Sequence, residues 1–149
     1  SALKIGQISV HQTRYDTRLR EKEVGAINFL SKEEIKRFFP HEHSRREREG
    51  KLMYRPLGGE SWYDVKDLRV GSILNSIYRD HPGKSVLIVS HSVVIKCFRM
   101  KLEHLEEKDI FELEKKEPLD NCGICVFEFD RRSGREGRLV LKEWNTIAY

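Results

Sequence analysis

Residues 84–97 read K-S-V-L-I-V-S-H-S-V-V-I-K-C. Within that stretch an apolar run, Val86–Val89, gives way across Ser90, His91 and Ser92 to a spacing that suits a helix. A short, continuous, β-branched run is the pattern of a strand buried on both faces, and hence of a parallel sheet. A strand that feeds straight into a helix sets the class: α/β, with a mostly parallel sheet flanked by helices. Ligands of such sheets bind beyond the carboxyl ends of the strands, where the first N–H groups of the next helix lack partners inside it. His91 stands at that junction. An imidazole there can hydrogen-bond an anion beside the helix dipole, or titrate near neutral pH. A helix-capping histidine with no ligand is the plainer alternative.

The remaining pattern fits one domain, residues 1–149. Gly6 suits the end of a helix, and I-S-V-H-Q-T (8–13) alternates like a short strand. Ser31 and Glu34 form a capping box for a short helix stopped by Pro40. H-E-H-S-R-R-E-R-E-G-K (41–51) reads as a solvated helix or a surface excursion. P-L-G-G-E-S (56–61) is a turn, and a helix runs from Ser61, its N-cap, to about Tyr78. Val65, Leu68, Ile73 and Ile77 are expected to share its apolar face. Further helices span about Val93 to Leu102 and Glu106 to Lys116. Two closing strands, about 123–129 and 138–144, flank R-R-S-G-R-E-G.

Charge and cysteine usage narrow the function classes. The 28 basic and 24 acidic residues are interspersed and leave a net +4, which favours anionic ligands without naming nucleic acid as partner. The basic hairpin tip lacks interleaved aromatics, so a solvated loop is the better reading. No apolar stretch approaches a membrane span, so no membrane partner is expected. Three cysteines, an odd number, fit a reducing cytoplasmic setting. Cys122 and Cys125 form a lone C-x-x-C inside a strand-like run, where cysteine serves as a small apolar filler. His41 and His43 lack a third ligand, so no metal site is expected there.

V-L-I-V-S-H-S resembles the V-x-V-x-S-H-G signature of the histidine phosphatase (phosphoglycerate mutase-like) superfamily. Three further stretches follow that family's order. D-T-R-L-R-E-K-E-V-G (16–25) is similar to its D-x-x-L-R-E-x-x-x-G, and R-P-L-G-G-E-S (55–61) to its G-G-E-S turn. L-D-N-C-G-I-C-V-F (119–127) and W-N-T (144–146) resemble its N-x-[SG]-[IV] strand and W-N ending.

The resemblance implies a phosphoglycerate mutase-like fold and hydrolysis of phosphomonoesters through a phosphohistidine. An R-H-G histidine attacks phosphorus, arginines and a second histidine hold the equatorial oxygens, and a carboxylic acid protonates the leaving oxygen. Carried over by motif, His91 is the second histidine and Glu21 the proton donor. Ser92, Glu60 and Arg20 are the expected phosphate-binding residues, with Glu60 either on the pocket rim or simply part of a turn and helix start. The implied partner is a phosphorylated small molecule, and no metal or other cofactor is required. Tyr54, Arg55, Trp62 and Tyr63 are either a substrate rim or packing.

Two departures qualify the match. Ser92 replaces the glycine that follows the second histidine. No R-H-G or S-x-L-x-R-A occurs in the 149 residues. His11, His81 and His104 stand in other contexts. In the family the R-H-G strand lies beside the strand ending at the second histidine, so without it Val86–Val89 becomes an apolar unpaired edge. The expectation is therefore an N-terminally incomplete folding unit, with an upstream segment or another chain, a homo-oligomer included, filling the gap. Two rivals are a catalytically silent member that binds a phosphate compound or a protein, and a basic nucleic-acid-binding α/β domain.

Overall fold

In the computed structural model, which describes residues 13–147, the first helices start at local signals that the sequence carries. The α1 helix (Lys32–Phe38) starts at Ser31, whose hydroxyl accepts from the Glu34 N–H while Glu34 reaches back to the Ser31 N–H. Pro40 opens α2 (Pro40–Glu49), where its missing N–H costs nothing. The ionic segment is thus a helix, laced by Arg45 to Glu42 and Glu49. Ser61 caps the next helical segment: its Oγ accepts from the Asp64 N–H at 3.1 Å, and the Asp64 carboxylate accepts from the Ser61 N–H at 2.7 Å.

That segment passes through a π-helical turn, Asp64–Val70, into α3 (Gly71–Asp80). The Gly71 N–H donates to the Lys66 carbonyl, one residue further back than in an α-helix. The wider turn rotates the buried face. Val65 and Val70, five apart, are both 0% exposed, whereas Leu68 is 69% exposed. The expected face of Val65, Leu68, Ile73 and Ile77 therefore holds at Val65 and Ile73 and fails at Leu68.

His91 precedes α4 (Ser92–Glu103), and α5 (Glu107–Lys116) follows after His104 takes a left-handed φ of 56°. Val94, Cys97, Phe98 and Met100 of α4 bury against Leu52, Trp62, Val65, Val70, Ile73 and Ile110. Fully burying one such large aliphatic side chain contributes about 1.5–3 kcal/mol. Trp62 and Tyr54 are in the protein interior, so their part is packing rather than a substrate rim. Arg55 pairs with Asp64, and Tyr63 stacks under Lys66.

The sheet differs from expectation. Among the described residues it has two antiparallel strands, β1 (Ile124–Asp130) and β2 (Arg138–Thr146). The expected mostly parallel sheet is not formed among the described residues. Val86–Val89 joins no ladder among the described residues, and Val86, Leu87 and Val89 are 43%, 60% and 73% exposed. A β-branched run becomes a buried strand only when neighbouring backbone fills the lanes beside it. The residues expected to form a strand at 8–13 lie, save Thr13, outside the described residues.

Two of the matched motifs hold this end of the molecule together. Asn145 (φ 57°) accepts from the Asp120 N–H and donates to the Asp120 carboxylate, both at 2.9 Å. Trp144 donates from Nε1 to the Glu117 carbonyl at 3.0 Å and lies under the Arg99 guanidinium. The L-D-N and W-N stretches thus grip each other and act on the fold.

Candidate functional site

Two glycines bring the loop after Asp16 against the turn before Ser61. Gly25 has φ +56°, and a Cβ there would lie 2.1 Å from the Leu57 carbonyl oxygen. On the facing turn, a Cβ at Gly59 would lie 2.8 Å from the Glu23 carbonyl oxygen. Only backbone fits between them. The contact is sealed by Ala26 N–H to the Leu57 carbonyl at 2.9 Å and Glu60 N–H to the Glu23 carbonyl at 2.8 Å. The motifs D-T-R-L-R-E-K-E-V-G and G-G-E-S are therefore two sides of one backbone junction.

Glu60 ties that junction electrostatically. Its carboxylate accepts from Arg20 at 3.0 Å, from the Glu23 N–H at 3.0 Å and from Arg69 at 2.8 Å. The Lys22 ammonium donates to the Glu60 carbonyl at 2.8 Å. Burial pushes the Lys22 ammonium below its ordinary pKa, against the pull of Glu60 and Glu21, and the Arg46 charge adds to the push.

Arg69 is the residue the sequence reading missed. Its side chain is 8% exposed, and besides Glu60 it donates to the carbonyls of Arg18 (3.0 Å), Arg20 and Glu21 (3.5 Å). One guanidinium thus fixes the backbone on which Glu21 rides. The signal was available: Arg69 stands four residues after Val65, on the expected apolar face, where a cation needs a dedicated set of acceptors.

On the other side, the Ser90 hydroxyl donates to the Leu19 carbonyl at 2.7 Å. This single bond links the residue before His91 to the loop that carries Glu21. His91 is exposed and extended (φ −113°, ψ 160°), with its carbonyl accepting from the Ile95 N–H to close the first turn of α4. Its side chain makes no capping bond. The exposed Ser92 is the first residue of α4, whose opening N–H groups point back past His91. Beneath them Cys97 is buried, which drives its thiol up to about 12, with Arg69, Lys66 and Glu21 among the charges it feels.

The structure therefore gathers Arg20, Glu21 and Glu60 on one junction and ties the His91–Ser92 corner to it. Glu21 accepts from the Lys22 N–H at 2.7 Å and is exposed. Arg20 and Glu60 are engaged with each other. Among the described residues no group of three His, Cys, Asp or Glu side chains could hold a metal ion, and no helix is long and apolar enough to cross a membrane.

No curated protein sequence matches this chain. Solved structures share its fold, two mycobacterial proteins among them. One is described as mycobacterial hydrolase 1, with 24% identity and a TM-score of 0.66 over 89% of this chain and 63% of that one. The other is a mycobacterial glucosyl-3-phosphoglycerate phosphatase in complex with inorganic phosphate, with 24% identity and a TM-score of 0.67 over 89% of this chain and 64% of that one. The chain thus spans less than two thirds of the length of either neighbour. The profile of the histidine phosphatase superfamily (branch 1) matches residues 2–145, nearly the whole sequence, and the chain belongs to that family.

Proposed function

We propose that this chain carries the phosphate-holding and proton-donating half of a phosphomonoesterase site. His91 and the opening N–H groups of α4, with Ser92, receive the phosphoryl oxygens, and Glu21 protonates the leaving oxygen. The supporting observation is the bond from Ser90 to Leu19 together with the Arg69 clamp, which hold the Glu21 loop against the His91 corner. Fixed donors of this kind stabilise charge on a transferring phosphoryl group without reorganising. Glu60 and Arg20, paired with each other, act as positioning residues for the loop rather than as ligands.

In the reaction the family resemblance implies, a histidine nitrogen attacks phosphorus while the bond to the leaving oxygen breaks and Glu21 gives that oxygen its proton. Water then attacks the phosphohistidine, its proton returning to Glu21, and inorganic phosphate leaves. The nucleophile stands in an R-H-G context that the 149 residues do not contain. A form that turns substrate over supplies it from elsewhere, and its substrate is a phosphorylated small molecule. The second reading is a silent module that holds phosphate compounds without turnover.

The test is titration of this chain with inorganic phosphate, followed through the amide signals of Ser92 and Val93 and the His91 ring. Saturable shifts that weaken at least about tenfold in His91→Ala support the site. Shifts unchanged by that substitution, or no binding, overturn it. Turnover measured with an added R-H-G segment separates the enzyme from the silent module.

A further inference from the structure

Helix α2 and its C-terminal cap turn a polar stripe where a core stripe is normally found. His43, Arg46, Glu47 and Gly50 follow at i, i+3, i+4 and i+7, the spacing that usually carries apolar side chains into an interior. No residue of α2 is buried. In place of a core contact, the stripe borders a cavity of about 340 Å³ between α1, α2 and the segment Gly50–Tyr54. That size falls in the range of small-molecule pockets.

The apolar part of the lining comes from Ile35 and Tyr54, which are 8% and 5% exposed, and from Ile27 of the loop before α1. The Tyr54 hydroxyl is already committed, donating to Glu42 at 2.8 Å, which leaves its ring to meet an occupant. Lys51 also lines the cavity, but its ammonium is paired with Glu114. Lys32 of α1 and Arg46 of α2 have no carboxylate partner among the described residues. Arg45, the neighbour of Arg46, is by contrast neutralised by Glu42 and Glu49. With Lys51 compensated, the lining sets two cations against the one carboxylate of Glu47, which pairs with neither. A guanidinium beside apolar surface is matched by a ligand that satisfies both, a planar carboxylate on an apolar body.

We propose that this cavity is a separate binding site for a small organic carboxylate, with Lys32 and Arg46 holding the carboxylate and Ile27, Ile35 and the Tyr54 ring packing against its apolar body. Neither His91 nor Glu21 takes part, so the site stands whether or not the phosphate corner binds phosphate.

The experiment titrates this chain with benzoate, its neutral isostere benzamide and inorganic phosphate, followed through the methyl signals of Ile27 and Ile35 and the amide of Ser92. Benzoate should move both methyls saturably and leave Ser92 still. It should bind about tenfold more tightly than benzamide, the gain expected of a charge-assisted contact. Lys32 is exposed and Arg46 half-buried, so both can be replaced without opening the core. In the double variant Lys32→Gln with Arg46→Gln the gain over benzamide should vanish. Equal binding of benzoate and benzamide to the unaltered chain, or a gain that survives the double variant, overturns the carboxylate assignment. Inorganic phosphate moving the two methyls as strongly as benzoate would reduce the cavity to an unselective anion patch and overturn it as well. Methyls that stay still with benzoate, or that move only together with Ser92, overturn the site itself.

Discussion

The Arg69 guanidinium donates to Glu60 Oε2 at 2.8 Å from a side chain that is only 8% exposed. Removing Arg69 leaves Glu60 with the half-exposed Arg20 and the Glu23 N–H as its remaining donors, so this loss alone falls at the lower end of the about 3–5 kcal/mol that breaking a buried pair costs. Arg69→Ala also orphans three backbone carbonyls of the loop at 18–21. We expect a loss near the upper part of that range in urea denaturation, with early proteolysis in this loop. Arg69→Lys should recover only a minor part, because an ammonium lacks the planar fork that reaches four acceptors. Full recovery by lysine would show that charge alone matters.

Gly25→Ala is expected to destabilise by more than about 2 kcal/mol. The left-handed backbone alone disfavours a side chain by about 1–2 kcal/mol, and the new Cβ would sit 2.1 Å from the Leu57 carbonyl oxygen. Gly83, equally left-handed at φ +67° but with open space around it, is the control. Gly83→Ala should show the backbone cost alone, about 1–2 kcal/mol. Thermal unfolding of the two variants side by side separates strain from collision.

The π-helical turn sets opposite outcomes for two neighbouring residues. Val65→Ala should cost about 2 kcal/mol through a cavity against α4, since Val65 is 0% exposed. Leu68→Ala should stay within about 0.5 kcal/mol, since Leu68 is 69% exposed. An uninterrupted α-helix would bury both. Equal losses in chemical denaturation would argue for that straight register.

Asp64 gives the helix start a pH dependence. Burial works against its charge, yet hydrogen bonds from Arg55 and Ser61 hold its carboxyl below the ordinary value of 3.8. A group whose folded pKa is depressed contributes stability that is fully present above the unfolded pKa and lost as pH falls through the folded one. Stability should therefore be flat with respect to Asp64 near neutral pH and fall below about pH 4. Asp64→Asn should lose about 1 kcal/mol at neutral pH, as a weakened helix cap, and flatten the acid limb of the pH–stability curve. An unchanged acid limb would assign that limb to other carboxylates.

Val86, Leu87 and Val89 form an exposed apolar row with no strand partner among the described residues. Such an edge is a template for association. Replacing Leu87, 60% exposed, by Lys should reduce concentration-dependent light scattering of this chain. Scattering unaffected by Leu87→Lys would place the sticky surface elsewhere.

Local order was legible in the residues themselves. Ser31 with Glu34, Pro40, and Ser61 carry their own hydrogen-bond chemistry, so the starts of α1, α2 and the segment entering α3 follow from short-range spacing. The same holds for α5, capped by Glu106 and Asp109, and for β1 and β2 with the turn between them, whereas α4 starts after His91 without a side-chain cap. The G-G-E-S turn and the His91 corner could be placed on their elements by motif.

Other features needed the tertiary structure, because each depends on groups far apart in the chain. The π-helical turn that exposes Leu68 adds one residue to a helix, and apolar periodicity cannot register such an insertion. Arg69 looks misplaced on an apolar face until the loop at 18–21 brings its carbonyls to meet it. Glu60 reads as a site carboxylate in sequence and becomes a tie only when Arg20, Glu23 and Arg69 surround it. Val86–Val89 shows the limit most plainly. Side-chain pattern states that a run is fit for a strand, but backbone hydrogen bonds to a neighbour make it one, and no property of the run itself supplies that neighbour.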